Sequence, residues 1–182
     1  MHRILRLSAI ALVAGCASAN GSGTPAADVM QTVRVSTGSG GSMIASTVAS
    51  TASNIATVNI PVNVAWAVLP WVYDSLGIKV SVADQASHVF GNRTLKLRRQ
   101  LGTIALSKYI NCGNAQGGPS ADTYEVQASI LTQLLPDTTG GTRVVTTVET
   151  SGRPVMLSGD YANCSSKGLL EQRIVELIKA RA

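Results

Sequence analysis

Val29, Gln31, Val33 and Val35 alternate with Met30, Thr32 and Arg34, and this period of two predicts a strand. Thr37 to Ser53 is rich in Gly, Ser, Thr and Ala, contains Gly38-Ser39-Gly40-Gly41-Ser42, and reads as a loop. Val58, Ile60 and Val62 form a second alternating run. Beyond Pro61 the period changes: Val62, Trp66, Leu69, Tyr73 and Leu76 fall on one face of a helix, with Asn63 as its N-cap and Gly77 as its stop. Pro70 interrupts that pattern and predicts a kink or the start of a second helical piece. Ile78, Val80 and Val82 then alternate with Lys79, Ser81 and Ala83, a strand that continues past a bend towards Val89 and Phe90. Gly91-Asn92 reads as a turn, and Leu95 and Leu97, alternating with Lys96 and Arg98, as a short strand. Leu101, Ile104, Ala105 and Tyr109 suit a short helix ending near Asn111-Cys112-Gly113, with a loop from Gly113 to Ser120.

The rest of the pattern is simpler. Tyr124, Val126, Ala128 and Ile130 make an alternating strand, Pro136 to Gly141 a turn, and the Val- and Thr-rich stretch from Arg143 to Thr150 a returning strand. Leu170, Ile174, Leu177 and Ile178 lie on one helical face, with Ser165 or Ser166 as cap and Lys179 and Arg181 favouring the C-terminal end. These elements predict an α+β fold: a two-layer antiparallel sheet with two or three helices packed on one face.

The N-terminus carries a different signal. Arg3 and Arg6 precede a short apolar stretch, Leu7 to Val13, followed by the small residues Ala14 and Gly15, which is a secretory signal pattern. That stretch is too short to cross a bilayer, which takes ~20 residues, and so is Val62 to Val72, which also contains Pro70. Val13-Ala14-Gly15-Cys16 resembles the lipobox of bacterial lipoproteins. The resemblance implies removal of residues 1–15, lipidation of Cys16, and a tether over 16–27 leading to a single domain over 28–182. It also implies a diacylglyceryl thioether, usually with an N-acyl chain, which anchors firmly where one chain alone is marginal. The residue after Cys16 is Ala17 rather than Asp, which in that family implies the outer membrane of a two-membrane bacterium. An ordinary signal peptide cut within Ala17-Ser18-Ala19 is the alternative.

The anchor changes how charge and cysteines are read. The chain has 15 Lys and Arg against 10 Asp and Glu, and without Arg3 and Arg6 the balance falls from +5 to +3, which gives no reason to expect nucleic-acid binding. Of three cysteines, Cys16 takes lipid, and Cys112 and Cys164 are left as a pair. In an oxidising compartment the pair predicts a disulfide; reduced thiols or a metal site are the alternatives, and the absence of nearby His or carboxylate partners makes a poor zinc site.

Candidate chemistry is sparse. His88 is the one histidine beyond the signal segment, four residues after Asp84 in a stretch read as strand or loop, so a surface pair is favoured over a dyad. The Asp and Glu residues are scattered, there is no Gly-x-Ser-x-Gly elbow, and nothing calls for a cofactor. Trp66 and Trp71 are read as core or helix face rather than ligand-stacking residues. Arg93, Lys96, Arg98 and Arg99 form the one charge cluster, either an anionic-contact patch or a solvated strand edge that discourages edge pairing. The segment Ile60 to Val82 loosely resembles the helix-grip domains of BamC-type accessory lipoproteins of β-barrel assembly, and no functional residue carries over from it. The expectation is a membrane-anchored, non-enzymatic binding or scaffolding module of the envelope, with an envelope protein or anionic lipid as partner. A carrier of lipid or another apolar ligand is the alternative, and an envelope hydrolase a more distant one.

Overall fold

The computed structural model describes residues 29–36, 42–49, 52–115, 117–156 and 159–182, with side chains from residue 53 onward. Strands β1 (Val29–Ser36) and β2 (Ser42–Ala49) pair with each other as an antiparallel ribbon. Then follow β3 (Ala52–Val58), helix α1 (Val62–Ser75), β4 (Val82–Asp84) and β5 (Val89–Arg98). A run of short pieces comes next: β6 (Gln100–Leu101), β7 (Ile104–Ala105), α2 (Leu106–Tyr109), β8 (Ile110–Asn111), β9 (Asn114–Ala115), β10 (Gly118–Pro119) and a 3-10 turn at Ser120–Asp122. The chain closes with β11 (Tyr124–Pro136), β12 (Thr142–Pro154), β13 (Ala162–Ser166) and α3 (Leu169–Arg181). The main sheet runs β7-β6-β5-β11-β12-β13-β8, with β3 also beside β12 and β4 beside β5. All its pairings are antiparallel, and the fold is α+β, as the hydrophobic pattern predicts.

The β11–β12 hairpin is the spine of the molecule. It pairs from Tyr124↔Pro154 to Pro136↔Thr142, so the returning strand, read from Arg143 to Thr150, runs on to Pro154. Alternate positions point to a buried side: Val126, Ala128, Ile130, Thr132 and Leu134 on one strand, Thr142, Val144, Thr146, Val148 and Thr150 on the other. Against them α1 packs Ala65, Leu69, Val72 and Tyr73, and α3 packs Leu170, Ile174, Val175 and Ile178. Burying each such large apolar side chain is worth about 1.5–3 kcal/mol, so this one interface dominates the stabilisation. Its buried hydroxyls form a chain. Tyr73 donates to the Phe90 carbonyl at 3.2 Å, which leaves it to accept from Thr132 at 2.9 Å, and Thr132 in turn meets Thr146 at 3.1 Å. Desolvation pushes the Tyr73 phenol well above its ordinary range, so it stays a neutral donor.

Helix α1 is continuous through Pro70, whose ring lies on the exposed side. Its N-cap is Pro61 rather than Asn63; the Pro61 carbonyl accepts from Val64 and Ala65. Gly77, at φ +72°, ends it as expected: its N–H reaches the Asp74 carbonyl, and that of Ile78 reaches Tyr73, the paired bonds of a Schellman stop.

Several expectations are corrected. The loop read over 37–53 contains all of β2 and the start of β3, while 37–41 and 50–51 lie outside the described residues. Ser42, Ser46, Thr47, Ser53 and Thr57 lower the apparent hydrophobicity of these strands, while Ile44, Val48, Ile55 and Val58 supply β-propensity. The second alternating run stops at Val58, because Pro61 already opens the helix. Of the strand read from Ile78, only Val82 onward is regular. The helix read over 101–109 shrinks to α2, with Leu101 and Ile104 on short strands instead. Gly168, at φ +77°, caps α3 in place of Ser165 or Ser166, though Ser166 Oγ accepts the Gly168 N–H at 3.1 Å.

Gly91-Asn92 is not a turn. Both residues lie inside β5, and the reversal falls at residues 85–88, where Asp84 accepts from the Ala86 N–H and the Ser87 hydroxyl. Gly91 is needed for close approach: at φ +149°, a Cβ there would lie 2.1 Å from the Ile130 carbonyl oxygen. Just beyond, Asn92 pairs with Ile130 and Leu95 with Ala128, so Arg93 and Thr94 together oppose Ser129 in a β-bulge.

Cys112 and Cys164 form the disulfide, with S–S 2.08 Å and Cα–Cα 4.4 Å. The bridge links two strands rather than two helices. Cys164 sits on β13, Cys112 directly follows β8, and those two strands pair through Ser165↔Asn111.

Candidate interaction surface

The sheet face opposite the helices is built from the alternate positions of β5, β11 and β12. The bulge decides what it carries. Without it, Arg93 and Lys96, three apart, would point to opposite faces; the extra residue restores the phase, so that Phe90, Asn92, Leu95 and Leu97 turn inward and Arg93, Lys96 and Arg98 turn outward together. Arg93 and Lys96 line an open groove of about 460 Å³ with Gln127, Ser129, Glu149 and Ser151. A shallower hollow of about 270 Å³ continues it over Val89, Leu131 and Val145. Among the described residues no carboxylate forms an ion pair with Arg93 or Lys96. The groove thus offers two cations, several hydroxyl and amide groups, and one carboxylate.

The structure does not hold the four predicted cations as one patch. Arg98 lies on the outer face but is tied into a cross-strand ladder. Its guanidinium donates to Glu125 at 3.0 Å, Arg153 donates to the same carboxylate at 3.1 Å, and the Tyr161 hydroxyl bonds it too. The Arg153 guanidinium lies over the Tyr161 ring, 4.7 Å from its centroid. Arg99, at φ +64°, leaves the strand and lines a separate hollow of about 320 Å³ with Arg98, Asp122, Tyr124 and Val155. Sequence reasoning missed Glu125 as the organiser of this ladder, since its partners are 27, 28 and 36 positions away and meet only through strand pairing.

The hydrogen bonds of Tyr161, then Arg98 and Arg153, hold the Glu125 carboxyl down at about 2, from an ordinary 4.5. A lowered pKa in the folded state adds stability that is complete above the unfolded value and is lost as pH falls through the folded one. The Glu125→Gln variant is therefore expected to show a shallower decline of thermal midpoint between pH 4.5 and 2 than the parent chain. Asp84 and Asp137, both also lowered, keep part of the slope. Equal declines in the two proteins would refute this role for the ladder.

The other candidates have structural partners. The Asp84 carboxylate is engaged by the turn at Ala86 and Ser87, and the His88 ring stands edge-on to Trp66 at 5.8 Å. Trp66 also meets Phe90 at 5.6 Å, and Trp71, partly exposed, lies beneath Arg181 at 5.0 Å. Glu171 is fully buried, with one oxygen accepting from Ser166 Oγ at 2.6 Å and the other without a protein partner; burial raises its pKa. No group of three metal-ligating side chains occurs among the described residues. Cys16 and its lipobox lie outside the described residues, and no described helix is long and apolar enough to cross a membrane. Comparison with protein-family models, with curated proteins and with solved structures finds no match to this chain.

Proposed function

We propose that this chain is a lipid-anchored envelope protein, held through Cys16, whose α+β domain acts as a non-enzymatic binding or scaffolding module. One observation carries the binding role: the sheet exposes an open polar groove in which, among the described residues, Arg93 and Lys96 make no ion pair, while its opposite face is filled. Leu69, Val72, Tyr73, Ile174 and Ile178 are fully buried between helices and sheet. That filling favours a scaffold over a carrier of an apolar guest, which needs room in the same place. Asp84 and His88, for which a dyad was the less favoured reading, serve a turn and an aromatic contact. An oxidising compartment agrees with the Cys112–Cys164 bridge. The partner is an anionic surface of an envelope protein or lipid, steered by the groove cations.

The test is photo-crosslinking in cells that express the protein, from a photoreactive residue placed at Gln127 in the groove and, as control, at Thr139 in the β11–β12 turn. The expected result is a discrete adduct from position 127 alone, lost when Arg93 and Lys96 are both changed to Glu. No adduct, or the same adducts from both positions, would overturn the proposal.

A further inference from the structure

The end of the sheet where β5 stops at Arg98, β11 starts at Tyr124 and β12 stops at Pro154 has an unusual surface. The turn after β12 presents Val155 and Met156, the latter 91% exposed, the most exposed large apolar side chain among the described residues. Ile104, also exposed, sits on the small β6–β7 hairpin appended at the same end. Cations surround this tip. Arg98 and Arg99 line a hollow together with Val155, and Arg153 stands one residue before Pro154. Arg98 and Arg153 share the single carboxylate of Glu125, and Asp122, the acid that lines the hollow, accepts the Ser107 N–H.

We infer that this tip is a membrane-contact element: Val155 and Met156 enter the interface of an anionic bilayer while Arg98 and Arg99 meet its headgroups. An apolar protrusion of one or two side chains is far smaller than the roughly 1,000 Å² that a specific protein interface needs. It suits shallow insertion, where apolar burial and attraction to anionic lipid add together. Such contact is weak alone, and the inference rests on the proposal that a lipid at Cys16 already holds the domain near the surface, so that the second contact is intramolecular. The consequence is a defined orientation, with the β12–β13 end against the bilayer.

The experiment uses the full protein purified from membranes and returned to vesicles containing brominated phosphatidylglycerol, with a Met156→Trp substitution and an Ile55→Trp control. Ile55 is also exposed but lies on β3, away from the tip. Bromine quenching beyond that of the native tryptophans is expected to be severalfold greater for Met156→Trp than for Ile55→Trp, and to fall when Arg98 and Arg99 are changed to Ala. Equal quenching from the two positions, or a photo-crosslink from position 156 to protein instead of lipid, would overturn the inference. The mass of the same sample separates the two readings. A lipidated chain without selective quenching defeats the tip alone, and an unlipidated chain with selective quenching defeats the anchor alone.

Discussion

Replacing Cys112 and Cys164 together by Ala is expected to destabilise the domain by about 4 kcal/mol, the loop-closure value for a separation of 52 residues. Against a total stability of about 5–15 kcal/mol for a domain of ordinary size, this is a large loss. The location explains why it is not a minor staple. Between β5 and β11 the chain runs through two-residue strands and a single helical turn, none able to fold alone. The bridge ties the middle of this region, where Leu106, Tyr109 and Ile110 are buried, to β13 of the main sheet. A Cβ added at Gly152 would lie 3.3–3.4 Å from both sulfurs, so the sheet is closed down onto the bridge. Denaturant titration of the doubly substituted chain measures the loss. A change below about 1 kcal/mol would show that the short elements are held by packing alone.

The second large effect is expected at Gly91→Ala. The new Cβ would meet the Ile130 carbonyl, which is backbone in the central strand and cannot swing aside, and φ +149° is itself unfavourable for Ala. Strain and overpacking together are expected to cost about 3–5 kcal/mol, or to prevent folding. Thermal unfolding of the variant, set beside Gly140→Ala, gives the comparison. Gly140 also has positive φ but meets nothing within 4 Å, so its substitution isolates the backbone strain. Equal losses at the two positions would mean that close approach to Ile130 contributes nothing.

Gly91 also shows where sequence reading stops. A Gly-Asn pair between apolar runs has the composition of a turn, and only the partner strand reveals that the glycine admits a carbonyl. The same applies to the outer face. The bulge at Arg93-Thr94 is invisible as composition, yet it sets the phase that brings Arg93 and Lys96 into one groove and leaves Arg99 outside it. What was legible obeys local rules. The β11–β12 hairpin has period-two patterning around a turn-rich segment, and α1 and α3 have clear 3.6-residue faces, with Gly77 at the end of α1. Strand β1 was legible from the alternation of Val29 to Val35, but β2, its pairing partner, and the short strands between residues 100 and 119 were not. Their Ser, Thr and Gly content gives little hydrophobic contrast, and their pairing depends on neighbours distant in sequence. The cysteine pair was legible only because the lipobox reading withdrew Cys16 from the count.

The proposed anchor holds this domain at a membrane through Cys16, while Cys112 and Cys164 are joined to each other. Intact-mass and peptide analysis of the protein recovered from cell membranes is the decisive test. The expected result is a chain beginning at Cys16, carrying the mass of a diacylglyceryl group with or without an N-acyl chain, and a Cys112–Cys164 peptide that separates only on reduction. An unmodified N-terminus at or after Ala17, or residues 1–15 still attached, would contradict the anchor and with it the proposed place of action.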